Sequence, residues 1–177
     1  MTDIVTMLEA YAEKAYASAY RLTGNDSDAC DLVQESFIRA IEKQHLYDSR
    51  YDFNNWLNQI LYRVYLNNRR SKDRRHEVRL ETVAGQYEKP EVNYASPSCE
   101  MPDSIVEKQE VKRAIHAALI GLPAEMRVCV ALIDLEGYSY EEAAKIMGCS
   151  VGSVSCWLFR ARRILRGKLT RLNEVRP

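Results

Sequence analysis

Residues 137–163 restrict the fold of this chain more than any other segment, because two short helices and the turn between them can be read directly from the residues. Ser139 followed three positions later by Glu142 is a capping box, the pattern that begins a helix. Gly148 supplies the positive φ that ends this helix, and Ser150 is placed to cap the next one. The segment therefore predicts a helical hairpin with a tight glycine turn.

The second helix of this hairpin is predicted to have one apolar face and one basic face. Its apolar residues recur at helical spacing and should pack inward: Val154, Leu158, Ala161 and Leu165. The opposite face carries polar and cationic groups: Ser155, Cys156, Phe159, Arg160 and Arg163. A packed first helix and an exposed basic second helix are typical of a helix-turn-helix, whose second helix enters the DNA major groove. The alternative is an ordinary helical hairpin with a solvated basic face.

The charges of the 177-residue chain sum to zero, but they are unevenly distributed. Residues 63–79 hold 7 basic and 2 acidic side chains, and residues 160–177 hold 7 basic and 1 acidic. Between them, residues 80–110 hold 7 acidic and 2 basic side chains. Two separated basic blocks indicate contact with nucleic-acid phosphates at two places. The alternative, a merely solvated surface, would spread the charges more evenly.

Composition argues against several classes of protein. There is no run of some 18 apolar residues and no signal-peptide pattern, so we expect a cytoplasmic chain that does not cross a membrane. The three histidines lie in unrelated segments, which speaks against nucleophilic catalysis. We expect no metal and no cofactor, because the cysteines are scattered without zinc-binding spacing and should be reduced. These are Cys30, Cys99, Cys129, Cys149 and Cys156.

Helical periodicity predicts an all-α first domain over residues 1–77. Its helices should cover residues 4–22, 26–43 and about 54–75. The second helix has the clearest apolar stripe: Ala29, Leu32, Val33, Ser36, Phe37, Ala40 and Ile41. Its polar face presents Asp28, Asp31, Gln34 and Glu35. The third helix has an apolar inner face and becomes basic toward its end; that inner face comprises Trp56, Leu57, Ile60, Leu61 and Val64.

A second all-α domain is predicted over residues 104–177. Periodicity fails over residues 78–103, where prolines and acidic residues indicate a flexible linker. It resumes near Ile105, and a helix that is apolar almost all round follows over residues 124–135. That helix should be the buried centre of the second domain, ahead of the helix-turn-helix. The chain is thus predicted as two small helical domains on a flexible acidic linker.

The two halves together resemble the extracytoplasmic-function (ECF) class of bacterial sigma factors, in the sigma-70 family. Region 2.2 of that family, which docks on the clamp helices of the polymerase β′ subunit, is similar to residues 31–40, DLVQESFIRA. The aromatic start of the helix that melts the −10 element is similar to residues 53–57, FNNWL. Region 4 resembles residues 122–128, LPAEMRV, and residues 138–149, YSYEEAAKIMGC. Its −35-reading helix resembles VGSV and FRAR, at residues 151–154 and 159–162.

The resemblance covers nearly the whole chain and implies an alternative sigma factor without catalysis of its own. Its implied partners are core RNA polymerase, through the β′ clamp helices and the β flap, promoter DNA, and an anti-sigma factor, predicted to be membrane-tethered. The implied polymerase-binding residues are Asp28, Asp31, Gln34 and Glu35. The implied −10 residues are Tyr47, Asp48, Trp56, Arg63, Asn67, Arg69 and Arg70, with Lys72, Arg74 and Arg75 following the phosphates. The implied −35 residues are Ser150, Ser153, Ser155, Cys156, Phe159, Arg160 and Arg163.

The chain also departs from the family at positions that read DNA. Ser155 and Trp157 stand where the family commonly has basic residues, and Cys156 stands where it has Ser or Thr. Base contact should therefore depend more on Arg160, with apolar contact from Phe159. In the third helix Arg63 occupies a position that often carries a base-capturing Asn, so the promoter sequence does not follow from the resemblance.

Two other functional classes compete with a sigma factor. A self-sufficient repressor or activator would need a dimerisation surface or an effector domain, and neither is visible in the sequence. A sigma-like mimic that only sequesters an anti-sigma factor usually carries a receiver domain. Such a mimic would have no need of the basic residues at 69–75 and 160–163.

Overall fold

The computed structural model describes the backbone of residues 3–80 and 103–174, and the side chains of residues 3–72 and 111–170. Over these residues the chain is helical and contains no strand, which confirms the all-α prediction. None of the described helices is long and apolar enough to cross a membrane. The first domain contains α1 (Ile4–Thr23), α2 (Asp26–Glu42) and α3 (Phe53–Leu80). The second contains α4 (Asp103–Ile120), α5 (Ala124–Val130), α6 (Tyr140–Met147) and α7 (Val151–Glu174).

The first domain is a three-helix unit whose α2 largely follows the predicted stripe. Ala29, Leu32, Ser36 and Ala40 are buried, but Ile41 is 42% exposed, so its prediction as an inward residue was wrong. Ala40 is the buried residue of the last turn of α2. Because successive residues of an α-helix are rotated by about 100°, Ile41 points away from the buried side. A short 3₁₀ turn, Gln44–Leu46, then leads toward α3.

Helix α3 extends to Leu80, three residues into the segment predicted as linker. Of the rest of that predicted linker, residues 81–102 lie outside the described residues, and Asp103 already begins α4. The side chains of Arg74 and Arg75, predicted to follow the phosphates, also lie outside the described part.

The helix predicted over residues 124–135 is present, but its last turn is not regular α-helix. Regular α5 ends at Val130, and residues Ala131–Leu135 form a π-helical turn. The N–H of Glu136 donates to the carbonyl of Ala131 at 3.0 Å, the i to i+5 spacing of a π turn. The middle of this helix is buried, as expected of the centre of the domain, whereas Leu135 at its end is 49% exposed. The π turn rotates the end of the helix and carries Glu136 toward the first domain.

The helix-turn-helix is confirmed in detail. The N–H of Glu142 donates to Ser139 Oγ at 3.2 Å, and the N–H of Ser139 donates to Glu142 Oε2 at 2.8 Å. These bonds hold the pKa of the Glu142 carboxyl below its usual value. Gly148 ends α6 with φ 66°, and Ser150 Oγ accepts from the N–H of Ser153 at 3.1 Å to begin α7. Each predicted capping signal therefore forms.

The two domains pack directly against each other, which the sequence did not predict. Gly24, with φ 83°, ends α1 so close to the second domain that an added Cβ would lie 2.8 Å from Ile120 Cδ1. His116 stacks on Tyr20 with ring centroids 4.9 Å apart. Buried Arg127 crosses the same boundary and donates to the carbonyl of Leu22 in α1.

Candidate nucleic-acid interface

The residues predicted to bind polymerase, three acidic residues and Gln34, lie on one surface of α2. Asp28, Asp31 and Gln34 are exposed, while Glu35 is partly covered and accepts from Asn68 Nδ2 at 2.6 Å. This hydrogen bond joins the surface to α3. The same helix exposes two large apolar side chains, Ile38 at 58% and Ile41 at 42%, of which Ile38 had no predicted role. Acidic and apolar groups side by side suit a partner surface that is basic and also has apolar contacts.

A cluster of aromatic rings lies where the loop before α3 meets that helix. Trp56 has its ring centroid 5.1 Å from that of Tyr47 and 5.6 Å from that of Phe53. Phe53 is buried, whereas Trp56 and Tyr47 are half-buried. Partial burial raises the pKa of the Tyr47 hydroxyl, and the nearby carboxylate of Asp52 raises it further. Trp56 was predicted on the inner face of α3 and is also among the implied −10 residues; its ring packs on this cluster and keeps an open portion.

The loop before α3 carries Asp48, which is engaged locally, and Tyr51, an aromatic residue that was not among the implied −10 residues. Asp48 accepts from Arg50 Nε at 2.9 Å and from the Arg50 N–H at 3.0 Å. These bonds to Arg50 hold the pKa of the Asp48 carboxyl below its usual value. Tyr51 is 69% exposed and presents an uncovered ring. The two tyrosines of residues 47–52 are the feature of the sequence that could have indicated this ring.

An open groove between α2 and α3 brings together three of the predicted −10 residues. Trp56, Arg63 and Asn67 line it, and its volume is about 350 Å³. Arg69 and Arg70 lie farther along α3 and are exposed, while Tyr47 and Asp48 do not line the groove. An aromatic ring, an amide and a guanidinium along one groove can stack on and hydrogen-bond unpaired bases.

Helix α7 presents the predicted −35 face to the outside of the second domain. Ser155, Cys156, Arg160 and Arg163 are exposed, and Phe159 is 68% exposed. The opposite face is buried as predicted at Val154, Leu158 and Ala161, and half-buried at Leu165.

Neighbouring polar residues of α7 support the fold. Ser150 and Ser153 hydrogen-bond to each other at 2.9 Å, so both take part in capping the helix. Arg162, which the sequence analysis did not place in the site, pairs with Asp134 of the π turn. This ion pair connects α7 to the π turn of the same domain.

The chain matches two regions of a known family. Residues 7–75 match Sigma-70 region 2, and residues 112–165 match Sigma-70 region 4. The ECF RNA polymerase sigma factor SigE of Mycolicibacterium smegmatis is 34% identical over 165 residues, which cover 93% of this chain and 61% of SigE. The ECF RNA polymerase sigma-E factor of Escherichia coli K12 is 30% identical over 145 residues, covering 80% of this chain and 74% of that protein.

Solved structures agree with these matches. The sigma factor RpoE from Bartonella quintana, solved with the anti-sigma factor NepR, is 25% identical with a TM-score of 0.67, covering 96% of this chain and 98% of RpoE. The extracytoplasmic function sigma factor SigJ of Mycobacterium tuberculosis is 27% identical with a TM-score of 0.55, covering 91% of this chain and 52% of SigJ. Both matched regions and both α-helical domains lead to one conclusion. The chain belongs to the sigma-70 family, in its extracytoplasmic-function class of RNA polymerase sigma factors.

Proposed function

We propose that this chain is an alternative sigma factor that binds core RNA polymerase, directs it to specific promoters and helps melt their −10 element. Two surfaces of the chain support this proposal together. The first domain has a groove lined by Trp56 and by basic residues, and the second domain has an exposed basic helix. One surface suits unpaired bases and the other suits the major groove. A transcription factor acting without polymerase would leave the acidic and apolar surface of α2 unexplained.

In vitro transcription with purified core polymerase tests this function. Because the promoter sequence is unknown, fragmented genomic DNA of the native host serves as template, and transcript 5′ ends are sequenced with and without the protein. A set of start sites that depends on the protein is expected. Identical start sites in both reactions would contradict the proposal, and DNA protection without polymerase would favour the repressor or activator class.

Polymerase binding is proposed to use the acidic surface of α2. Reversing Asp31 and Glu35 together to Lys should weaken assembly with core polymerase about tenfold, or about 1.4 kcal/mol, because each reversal turns an attraction into a repulsion. Fluorescence anisotropy of the labelled chain titrated with core enzyme measures the loss. Glu9 and Glu13, which are exposed on α1, reversed to Lys provide the matched control. If both double variants assemble with core polymerase equally well, α2 does not form part of the polymerase interface.

Melting of the −10 element is proposed to use the open part of the Trp56 ring. Trp56→Ala should lower open-complex formation about tenfold and affect closed-complex binding less. A tenfold loss corresponds to about 1.4 kcal/mol, which lies within the roughly 1–3 kcal/mol that one stacked base contributes. Permanganate reactivity of promoter thymines reports the open complex, and a gel shift reports the closed one. Trp56→Phe serves as control because a smaller ring still packs on Tyr47 and Phe53. Equal losses in both steps would assign Trp56 to packing alone.

We also propose that the chain acts in the cytoplasm and is held inactive by an anti-sigma factor tethered to the membrane. Support comes from RpoE of Bartonella quintana, a structurally similar protein that was solved in complex with the anti-sigma factor NepR. Affinity purification of the tagged chain from detergent-solubilised, unstressed host cells tests this. Recovery of polymerase subunits alone would contradict the proposed inhibitor.

A further inference from the structure

Glu136 joins the two domains through its carboxylate. It follows the π turn of the second domain, and every hydrogen-bond partner of its side chain among the described residues belongs to the first domain. Arg21 Nη2 donates to Oε1 at 3.0 Å, and Asn58 Nδ2 donates to Oε2 at 3.1 Å. The hydroxyls of Ser18 and Tyr62 each donate to Oε1 at 3.4 Å. The Glu136 side chain is only 15% exposed, so these contacts are largely shielded from water.

A second contact of the closed arrangement engages the groove proposed to hold DNA. Arg63 Nε donates to the carbonyl of Ile146 at 3.2 Å, and Arg63 Nη2 donates to the carbonyl of Lys145 at 3.2 Å. These carbonyls lie at the C-terminal end of α6, where the helix dipole favours a cation. Arg63 lines the same groove as Trp56 and Asn67. While the domains are closed, the first helix of the helix-turn-helix therefore holds the guanidinium on one side of that groove.

The interface around Glu136 is also incompletely satisfied. Arg21 Nε and Asn58 Oδ1 are buried and have no hydrogen-bond partner among the described residues. A buried polar atom without a partner favours the separated state, in which water can bond to it. The charge pair favours closure and these two atoms oppose it, so they reduce the free energy with which the Glu136 contacts hold the domains together.

We propose that Glu136, with Ser18, Arg21, Asn58 and Tyr62, forms an interdomain latch that keeps the free chain closed and shields the Arg63 side of the groove from single-stranded DNA. A partner that binds the separated domains more tightly shifts the population toward the open form. The closure itself follows from the described contacts alone. The shielding of DNA rests on the proposed function.

A charge swap tests the latch in the full-length chain. Arg21→Glu and Glu136→Arg should each open the chain and increase its radius of gyration in small-angle X-ray scattering, whereas the double variant should restore the smaller value. Asp134→Arg is the matched control, because Asp134 pairs with Arg162 inside the second domain. Circular dichroism confirms that each variant is folded. The latch is overturned if both single variants keep the wild-type radius, or if the double variant stays expanded.

The shielding of DNA is tested with Arg21→Glu and a fluorescein-labelled pool of random single-stranded oligodeoxynucleotides. This variant makes the chain more acidic, so any gain in binding comes from opening and not from added positive charge. We expect the affinity for the oligonucleotides to rise about tenfold. This is the gain expected if roughly one-tenth of the wild-type chains are open and the variant is fully open. Expansion without a gain in affinity would overturn the shielding. If transcript start sites do not depend on the protein but the scattering data show the expected expansion and rescue, the sigma-factor function is contradicted and the interdomain latch is still supported.

Discussion

Arg127→Met is expected to lower the free energy of unfolding by about 3–5 kcal/mol, because the guanidinium satisfies several buried oxygens at once. Arg127 is 6% exposed. The oxygens to which it donates belong to Leu22, Tyr65, Leu119, Ile120 and Leu122. Most of them are carbonyls at the ends of α1 and α4, where no intrahelical donor is available. Burial lowers the pKa of Arg127, but a guanidinium keeps its proton in proteins.

Urea denaturation followed by circular dichroism measures this loss. Arg162→Met is the control, since it removes an arginine of the same size from an exposed ion pair and should cost at most about 1 kcal/mol. Arg127→Lys should fall between the wild type and the methionine variant, because an ammonium has fewer donors and cannot reach all five oxygens. A methionine variant as stable as the control variant would show that these oxygens are satisfied in another way.

Arg160→Ala is expected to lower activity at the cognate promoter and to flatten the preference among −35 sequences. A groove-facing arginine with a bidentate base contact contributes about 1–3 kcal/mol of discrimination, or roughly 5- to 150-fold. Arg160 is exposed on the same face of α7 as Cys156 and Phe159. Competition binding of holoenzyme to a library of −35 variants at fixed salt measures the preference.

Arg163→Ala is the matched comparison for Arg160. If Arg163 contacts only phosphate, its loss should weaken all promoters equally and reduce the salt dependence of binding. Alkylation of the Cys156 thiol, which is exposed between these residues and the start of α7, should block binding if this face enters the groove. Identical sequence preferences for the two arginine variants would show that a different face of α7 reads the DNA.

Local signals in the sequence were sufficient for the helix-turn-helix and for much of α2. The capping box at Ser139, the positive φ at Gly148 and the cap at Ser150 each depend on atoms within a few residues, so short patterns predict them. The apolar spacing of α7 also correctly predicted its exposed face, because a regular helix converts spacing into direction. The family resemblance rested on these same local patterns.

Tertiary structure decided the features in which distant parts of the chain meet. The hydrogen bonds of Glu136, two of the five oxygens around Arg127 and the engagement of Arg63 by α6 all join one domain to the other. Ser18 and Glu136 are 118 residues apart, and no periodic pattern within one helix encodes such a pair. The burial of Arg127 could not be predicted for the same reason. Its acceptors surround it only after α1, α3 and α4 have packed together. Spacing along the chain thus determined the helices and their faces, and the packing of one domain on the other determined which polar groups those faces bury.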